Sequence, residues 1–198
     1  MREVLVADSI GMKYGEKWAL HSASLRATRG ELRALLGRNG AGKSTLLKVG
    51  AGLVAATSGM VSFNGVFQER PRLARLAREG LCFVPDHDLL SNAFSVRQQL
   101  EFVAGRTDHE SIERVADRLT IASLLDARPA ELSSGERRRA EVAFAMLRRP
   151  VCLLADEPLR NISPIDAETL LQVLKEIAHA GCAVVITPDS LLCWIAVL

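Results

Sequence analysis

A glycine-rich segment that ends in lysine and serine contains the residues whose types and spacing point most directly to chemistry. Residues 37–45 read Gly-Arg-Asn-Gly-Ala-Gly-Lys-Ser-Thr and satisfy the pattern G-x-x-x-x-G-K-[ST]. Because glycine lacks a Cβ, such a backbone can wrap an anion and direct successive N–H groups at it. We expect Lys43 to neutralise the β- and γ-phosphates of a nucleotide and the Ser44 hydroxyl to bind Mg²⁺. The segment therefore predicts a polyphosphate site.

The residues on either side of this segment could form the strand and the helix that such a site requires. Leu32 to Leu36 are mostly apolar, as in a short buried strand, and residues 44–49 resemble the first turns of a helix. A helix N-terminus carries roughly half a positive charge, which favours a bound phosphate. The combination favours nucleotide binding over a chance glycine turn.

Two adjacent carboxylates follow a second apolar segment. Val151 to Ala155 read as a buried strand, and Asp156 and Glu157 come directly after it. Ligands of α/β proteins collect at the carboxyl ends of parallel strands. An acid there can reach the magnesium shell, usually through water, and a second acid can polarise an attacking water. An isolated acidic pair is more often a solvated loop, but beside the Lys43 segment the catalytic interpretation is favoured.

The other patterns predict an α/β core into which a block of helices is inserted. Strand patterns cover residues 3–8, 31–36, 60–67, 81–84, 151–155 and 182–187, with a hairpin turn at Asn64-Gly65 and a short helix over 71–78. Almost no strand pattern occurs from 95 to 149, where several helices are predicted instead. Ser163, Pro164 and Gly181 predict the start and the end of a later helix.

Capping residues and apolar spacing divide the helical block. Two capping boxes are predicted, one by Ser95 with Gln98 and one by Thr107 with Glu110. The helix after the second box has one apolar face, formed by Ile112, Val115, Ala116 and Leu119. A third helix is predicted from about Gly135 to Arg148.

Composition excludes several other classes of protein. The chain has 198 residues, 48% of them hydrophobic, and a formal net charge of +2, too small to favour nucleic acid or an anionic membrane as the main partner. No segment approaches the roughly 20 apolar residues that cross a bilayer, so a membrane role is expected to go through a separate subunit. The four cysteines, Cys82, Cys152, Cys182 and Cys193, form no metal-binding spacing and are expected to be buried thiols in a reducing cytoplasm.

A further motif identifies the family that the chain resembles. Leu132-Ser133-Ser134-Gly135-Glu136, followed by Arg137 to Arg139, resembles the signature L-S-G-G-E of ATP-binding cassettes, and it precedes the acidic strand as it does in that family. The run 134–139 is most similar to the ATPase subunits of lipopolysaccharide-export and branched-chain amino-acid transporters. The resemblance extends from the N-terminal strand to about residue 190.

This resemblance implies a fold and a division of the chain. The fold is a P-loop NTPase core, a mostly parallel sheet with an antiparallel β subdomain, and an inserted α-helical subdomain. Residues 1–198 would form one ATPase domain, with a core lobe at about 1–85 and 150–198 and a helical subdomain at about 86–149.

The resemblance also implies site residues and partners. Tyr14 would stack on adenine, Asp156 would support Mg²⁺, and Glu157 would be the general base. Ser133 and Gly135 would contact the γ-phosphate held by a second cassette, so that ATP lies between two head-to-tail subunits. Nucleotide contacts are implied for Tyr14, Gly37, Arg38, Asn39, Gly40, Ala41, Gly42, Lys43, Ser44, Thr45, Ser133, Ser134, Gly135 and Glu136. The activity implied is ATP hydrolysis that powers separate transmembrane permease subunits from the cytoplasmic face of the membrane.

Several positions depart from the family pattern. Asp86 stands where a glutamine contacts Mg²⁺ and water, and Asp86 is kept as a possible metal ligand. Pro188 replaces the switch histidine and has no donor; His87 and His179 could substitute only in a different alignment. Ser163 replaces the aspartate of the dimer-interface loop, although Asp166 is near, and Ser134 replaces a signature glycine. Since losing one contact to the transferred phosphoryl group costs about 10²–10³ in rate, we expect ATP binding with slow turnover.

Other functions compete with this one. The second hypothesis is a regulatory cassette that closes a dimer on ATP while a complete partner hydrolyses it, and the departures favour it more than an intact cassette would. A soluble cassette of DNA repair or translation lacks support, because the chain has neither a long coiled-coil insertion nor a second cassette. Arg70, Arg72, Arg75 and Arg78 are spaced as on a helix, and without a recognition motif they indicate a solvated face rather than a DNA-binding surface.

Overall fold

Two four-stranded sheets and a group of helices make up the fold. The computed structural model describes residues 2–104 and 109–188. The predicted Thr107–Glu110 capping box, Cys193 and the apolar tail 189–198 lie outside the described residues. Strands are numbered β1–β8 and α-helices α1–α6 in chain order below.

The first sheet is antiparallel and has the order β2-β1-β4-β5. Its strands are β1 (Glu3–Tyr14), β2 (Lys17–Thr28), β4 (Ser58–Phe63) and β5 (Val66–Gln68). The predicted hairpin is confirmed, because Asn64 and Gly65 link β4 to β5 with φ values of 51° and 80°, as a tight hairpin turn requires. β1 extends six residues beyond its predicted end at residue 8, and β2 was not predicted.

The second sheet is entirely parallel and has the order β3-β8-β7-β6. It consists of β3 (Leu32–Ala34), β6 (Leu81–Val84), β7 (Cys152–Asp156) and β8 (Ala183–Thr187). Every residue of the two central strands, β7 and β8, is buried, which explains their continuous apolar sequences. The carboxyl ends of all four strands lie at one edge of this sheet, where Asp156 pairs in register with Thr187.

The helices connect and cover these sheets. α1 (Lys43–Gly50) follows the glycine-rich segment, α2 (Leu73–Arg78) precedes β6, and α6 (Pro164–His179) lies between β7 and β8. The helical block contains α3 (Val96–Ala104), α4 (His109–Arg118) and α5 (Ser134–Arg148). Two short 3₁₀ turns, Ala122–Leu124 and Pro129–Glu131, join α4 to α5.

Local signals within the helical block are confirmed. Ser95 N donates to Gln98 Oε1 at 3.0 Å, and Gln98 N donates to Ser95 Oγ at 3.3 Å, which is the predicted capping box. Ile112 and Ala116 of α4 and Leu119, one residue past its end, are buried, and Val115 is half-buried. Their apolar cluster also includes Leu159 and residues of α6, so the block shares a core with the helix that follows β7.

Two predictions from composition can be compared with the described residues. Cys82, Cys152 and Cys182 are buried free thiols, and burial raises the pKa of Cys82 to about 11. Within 2–104 and 109–188, no helix combines the length and apolar character needed to traverse a bilayer.

Candidate functional site

The glycine-rich loop curls around the ammonium group of Lys43. Lys43 Nζ donates to Gly37 O at 2.9 Å and to Arg38 O at 3.3 Å, and the residue is only 9% exposed. Ala41 N closes the turn by donating to Arg38 O at 3.0 Å. The loop and the positive charge are therefore held together at the N-terminus of α1.

Gly42 occupies the N-cap of α1 in a conformation that needs glycine. Its φ is 89°, in the left-handed region, and a Cβ built there would lie 2.7 Å from Ala19 O and 2.5 Å from a Leu20 methyl. A side chain at this position would collide with β2 and strain the turn. The strand that the sequence analysis missed thus sets the position of the loop.

An open cleft of about 370 Å³ lies beside this loop. The predicted contacts Tyr14 and Glu157 lie on its wall with residues of the loop. The full lining comprises Tyr14, Lys17, Trp18, Ala19, Asn39, Gly40, Gly42, Lys43, Ser44, Thr45 and Glu157. The glycine-rich loop and Glu157, the predicted general base, therefore line the same cleft.

Trp18 is a cleft residue that the sequence analysis missed. It is 39% exposed and stacks on His21 with ring centroids 5.3 Å apart, while Lys13 Nζ lies 4.7 Å from its ring centroid. Tyr14, which is 52% exposed, lies in the same cleft wall. The position of Trp18, four residues after Tyr14, was the sequence feature that could have identified it as a second aromatic residue of the cleft. The cleft offers two aromatic surfaces where one was expected.

Ser44 and the buried residues Asp156 and Thr187 form a hydrogen-bonded group next to the loop. Ser44 Oγ donates to Asp156 Oδ1 at 2.9 Å, and Thr187 Oγ1 donates to the same oxygen at 2.7 Å. The other carboxylate oxygen, Asp156 Oδ2, is buried without a hydrogen-bond partner among the described residues. An orphaned carboxylate oxygen beside a hydroxyl is the oxygen-rich environment that Mg²⁺ prefers, so these residues fit the predicted metal.

Glu157 has a left-handed backbone at the end of β7. Its φ of 47° is unusual for a residue with a side chain, and its N–H donates to Thr187 Oγ1 at 2.8 Å. Such conformations cost about 1–3 kcal/mol and occur where the surrounding structure enforces them. Arg160 Nη1 forms an ion pair with Glu157 Oε2 at 3.1 Å. The geometry of this contact is not that of a hydrogen bond. Thr187 thus holds the backbone of Glu157, and Arg160 lies beside its carboxylate.

The signature-like residues lie at the start of α5, outside the lining of the cleft. Ser133 caps the helix by accepting a hydrogen bond from Glu136 N at 3.3 Å. Glu136 Oε2 accepts from Ser133 N at 2.8 Å and from Ser133 Oγ at 2.7 Å. These hydrogen bonds from Ser133 lower the pKa of Glu136. The predicted nucleotide contacts thus fall into two groups, one at the cleft and glycine-rich loop and one at the start of α5.

Asp166 joins this helix start to the segment that follows the acidic pair. It forms an ion pair with Arg139, and a Cβ added to Gly135 would lie 2.7 Å from Asp166 Oδ2. Ser163 donates to that same oxygen at 2.8 Å and accepts from Asp166 N at 3.1 Å as the cap of α6. Ser163 therefore serves as a helix cap, and Asp166 supplies the carboxylate near the signature glycine.

Asp86 lies in a second cavity, of about 350 Å³. Its Oδ1 is 2.6 Å from His87 Nδ1, and its Oδ2 is 3.7 Å from Arg160 Nη1. The cavity is lined by Asp86, His87, Leu132, Ser134, Arg137, Arg138, Glu141, Arg160 and Asn161. The Asp86 carboxylate is not in the lining of the first cleft, so its role as a metal ligand stays a prediction.

A buried ion pair fixes the backbone next to Asp86. Arg138 Nη1 donates to Glu141 Oε2 at 2.8 Å and to Pro85 O at 3.0 Å, and Arg138 Nη2 donates to Asp86 O. Burial raises the pKa of Glu141, and the charge of Arg138 opposes that shift. α5 of the helical block thereby holds the segment that leaves β6 of the core.

Pro188 follows β8 and is buried. Neither proposed replacement for a histidine at this position lines the first cleft: His87 lines the second cavity, and His179 ends α6. The side chain of Thr187, one residue earlier, makes the polar contacts with the acidic pair instead.

Comparisons with known proteins match most of the chain. A family model described as ABC transporter matches residues 20–160. The Nod factor export ATP-binding protein I of Rhizobium etli is 34% identical over 185 residues, covering 90% of this chain and 58% of that protein. The phosphonates import ATP-binding protein PhnC 2 of Roseobacter denitrificans is 32% identical over 193 residues, covering 88% of this chain and 70% of that protein. The chain thus spans little more than half the length of the Nod factor relative.

Solved structures show the same fold. A nucleotide-free ATP-binding cassette from an ABC transporter superposes with a TM-score of 0.86 at 22% identity, covering 100% of this chain and 85% of that one. A bacterial ABC transporter cassette solved as a dimer gives a TM-score of 0.85 at 22% identity, covering 95% and 89% of the two chains. These likenesses bear out the predicted α/β core with its antiparallel sheet and helices.

Proposed function

The chain belongs to the ABC transporter family, and we propose that it binds and hydrolyses ATP to power a membrane transporter. The observation that carries the proposal is the convergence of Lys43, Ser44 and Glu157 on one cleft, with Asp156 bonded to Ser44 beneath it. A phosphate-binding lysine, oxygen ligands for a metal and a carboxylate base are the parts that phosphoryl transfer to water requires.

Each group has a distinct part in the proposed reaction. The loop N–H groups and Lys43 bind the phosphates, and Tyr14 stacks on the adenine. Ser44 and Asp156 would hold Mg²⁺, which neutralises developing charge on the phosphates when it is bound. Glu157 orients the attacking water and accepts its proton, because its carboxylate lies in the cleft wall. The proposed nucleotide contacts also include the remaining loop residues, Gly37, Arg38, Asn39, Gly40, Ala41, Gly42 and Thr45.

A second cassette completes the proposed site. Ser133, Ser134, Gly135 and Glu136 lie at a helix start apart from the cleft of their own chain, so we assign them to the ATP bound by a partner. The exposed N-terminus of α5 presents backbone donors of the kind that bind phosphate. One related bacterial cassette was solved as a dimer. The partner cassette is either a second copy of this chain or a different one.

The proposal extends to the membrane and to the division of the chain. We place the cassette in the cytoplasm, peripheral to the inner face of the membrane and attached to separate transmembrane permease subunits, with no nucleic acid as partner. The whole chain, 1–198, acts as one domain with a core lobe at about 1–85 and 150–198 and a helical subdomain at about 86–149. Because similar proteins are named for both export and import, the proposal assigns neither a substrate nor a direction.

Turnover is proposed to be slow. Pro188 has no donor for the γ-phosphate, and Asp86 carries a negative charge where the family pattern has a neutral glutamine. Losing one preorganised contact of this kind costs about 10²–10³ in rate. Neither departure removes a residue of the phosphate-binding loop, so ATP binding is expected to persist.

Calorimetry and phosphate release on four proteins test this function. Wild type is expected to bind ATP and to hydrolyse it below about 1 s⁻¹, the low end of enzyme turnover. Glu157→Gln should bind ATP, release no phosphate and shift to a dimer in size exclusion with ATP and Mg²⁺. Lys43→Ala should lose binding, whereas Lys48→Ala, on the same helix but outside the cleft lining, should match wild type.

Two outcomes would change the conclusion. If wild type and Lys43→Ala both give no heat with ATP, the nucleotide function is wrong. A wild type that binds ATP but releases phosphate only after a complete cassette is added would replace the proposal with the regulatory role.

A further inference from the structure

Arg160 lies beside two carboxylates, that of Glu157, which matches the family pattern, and that of Asp86, which departs from it. Its Nη1 lies 3.1 Å from Glu157 Oε2 and 3.7 Å from Asp86 Oδ2. Both acids are therefore within ion-pair distance of the same nitrogen atom. The arginine lies three residues after Glu157, on the segment that leads to the cap of α6.

Without this arginine, the site would hold an excess of negative charge. Asp156 and Glu157 are the acids expected of the reaction, and Asp86 adds a third. A nucleotide brings several more negative charges to the same region, and like charges repel more strongly in partly buried surroundings than in water. The side chains of Asp86 and Glu157 are only 24% and 18% exposed, so solvent screens them incompletely.

We propose that Arg160 is a positioning residue that offsets the charge of Asp86 and orients the carboxylate of Glu157 for ATP hydrolysis. The inference rests on the proposed function and adds a residue to it. Arg160 Nη1 lies beside Glu157 Oε2, a buried oxygen without a hydrogen-bond partner among the described residues, and its charge orients the carboxylate in the cleft wall. The same guanidinium offsets the charge of Asp86, which lines the second cavity together with Arg160.

Two separate effects follow, one on binding and one on catalysis. Binding of ATP depends on the total charge near the phosphates, so it should weaken when Arg160 is removed and recover when Asp86 is made neutral. Catalysis depends on the orientation of Glu157, so it should stay impaired after Asp86 is made neutral. If the ion pairs of Arg160 had no functional role, its removal would change neither Kd nor kcat, since exposed ion pairs contribute little free energy.

A double-mutant cycle measures both effects in the full chain. The Kd of ATP is measured by calorimetry with Mg²⁺ and again with EDTA, and kcat by phosphate release, for wild type, Arg160→Ala, Asp86→Asn and the double variant. Arg160→Ala should raise Kd about fivefold and lower kcat about tenfold. In the Asp86→Asn background the same change should leave Kd within about twofold of wild type while kcat remains about tenfold lower.

Arg160→Lys provides the matched control, because it keeps the charge and loses the planar guanidinium. This variant should have the Kd of wild type but only part of its kcat. Equal increases in Kd in the wild-type and Asp86→Asn backgrounds would overturn the inference, and so would an Arg160→Ala protein with the Kd and kcat of wild type. A wild type that binds no ATP would instead overturn the proposed function, so the two failures are distinguishable.

Thermal melting tests whether Arg160→Ala causes a folding defect. The Arg160 side chain is 46% exposed, so Arg160→Ala should melt within a few degrees of wild type. A large loss in melting temperature together with an equal increase in Kd in both backgrounds would assign Arg160 a structural role and reject the proposal.

Discussion

Thr187 donates a hydrogen bond to Asp156 Oδ1 at 2.7 Å and accepts one from Glu157 N–H at 2.8 Å. One side chain at the end of β8 therefore fixes both acidic residues at the end of β7. The parallel register that pairs Asp156 with Thr187 makes this contact possible. The conformation of the acidic pair depends on the neighbouring strand as much as on its own sequence.

Replacing Thr187 with valine should loosen the acidic pair. Valine has a similar shape but no hydroxyl, so Asp156 loses one donor and the Glu157 N–H loses its acceptor. Because the residue is fully buried, the free energy of unfolding should fall by about 1–3 kcal/mol. Urea denaturation measures this loss, and a magnesium titration of ATP hydrolysis should show a higher metal requirement.

Thr187→Ser keeps the hydroxyl and serves as the control for that change. It should retain the magnesium requirement of wild type and lose only the contribution of one buried methyl group, about 1 kcal/mol. If serine and valine raise the magnesium requirement equally, the hydroxyl is not what holds Asp156.

Gly42 and Gly40 form a matched pair for testing the phosphate-binding loop. Both have positive φ values, 89° and 80°, but a Cβ on Gly42 would collide with Ala19 O and Leu20, whereas one on Gly40 would meet open space. Gly40→Ala should cost about 1 kcal/mol of unfolding free energy from backbone strain alone. Gly42→Ala should cost at least about 3 kcal/mol. Equal losses in urea denaturation would show that contact with β2 does not constrain the loop.

The capping box at Ser133 should produce a measurable shift in a carboxyl titration. The Ser133 hydrogen bonds lower the pKa of Glu136 from its ordinary value of 4.5, so this carboxylate stabilises the folded state above that pH. The contribution disappears as pH falls through the lowered pKa. In Ser133→Ala the pKa should rise toward 4.5, as followed by NMR of the Glu136 carboxyl carbon.

Measurements of the free energy of unfolding as a function of pH provide a second test of this prediction. The difference in unfolding free energy between wild type and Ser133→Ala should shrink as pH falls from 4.5 through the lowered pKa of Glu136, because below that pKa both proteins carry a protonated Glu136. A difference that stays constant through this range would mean that Ser133 acts only as a neutral helix cap.

Features contained in a few successive residues could be predicted from the sequence. The hairpin at Asn64-Gly65 and the cap at Ser163 were of this kind, because glycine, asparagine and serine have specific backbone requirements there. β7 and β8 were predicted because strands buried on both faces are continuously apolar. β2 was missed because its alanines and serines have low strand propensity, and it forms a strand through pairing with β1.

Contacts between distant residues could not be predicted in the same way. Ser44 and Asp156 are 112 positions apart, and only a motif that associates them with one metal suggested their proximity. No motif associated Arg160 with Asp86, or Trp18 with the phosphate-binding loop. These contacts follow from how strands and helices pack, which the local pattern of residues does not encode.

Restoring a donor after β8 should accelerate hydrolysis. Pro188→His places an imidazole directly after Thr187, at the strand end that pairs with the acidic strand, where its N–H can contact the transferred phosphoryl group. We expect kcat to rise about 10²-fold with an unchanged Kd for ATP. Pro188→Ala removes the ring without adding a side-chain donor, so its kcat should remain at the wild-type value. An equal rise in both variants would show that the proline ring limits turnover through backbone rigidity rather than through the missing donor.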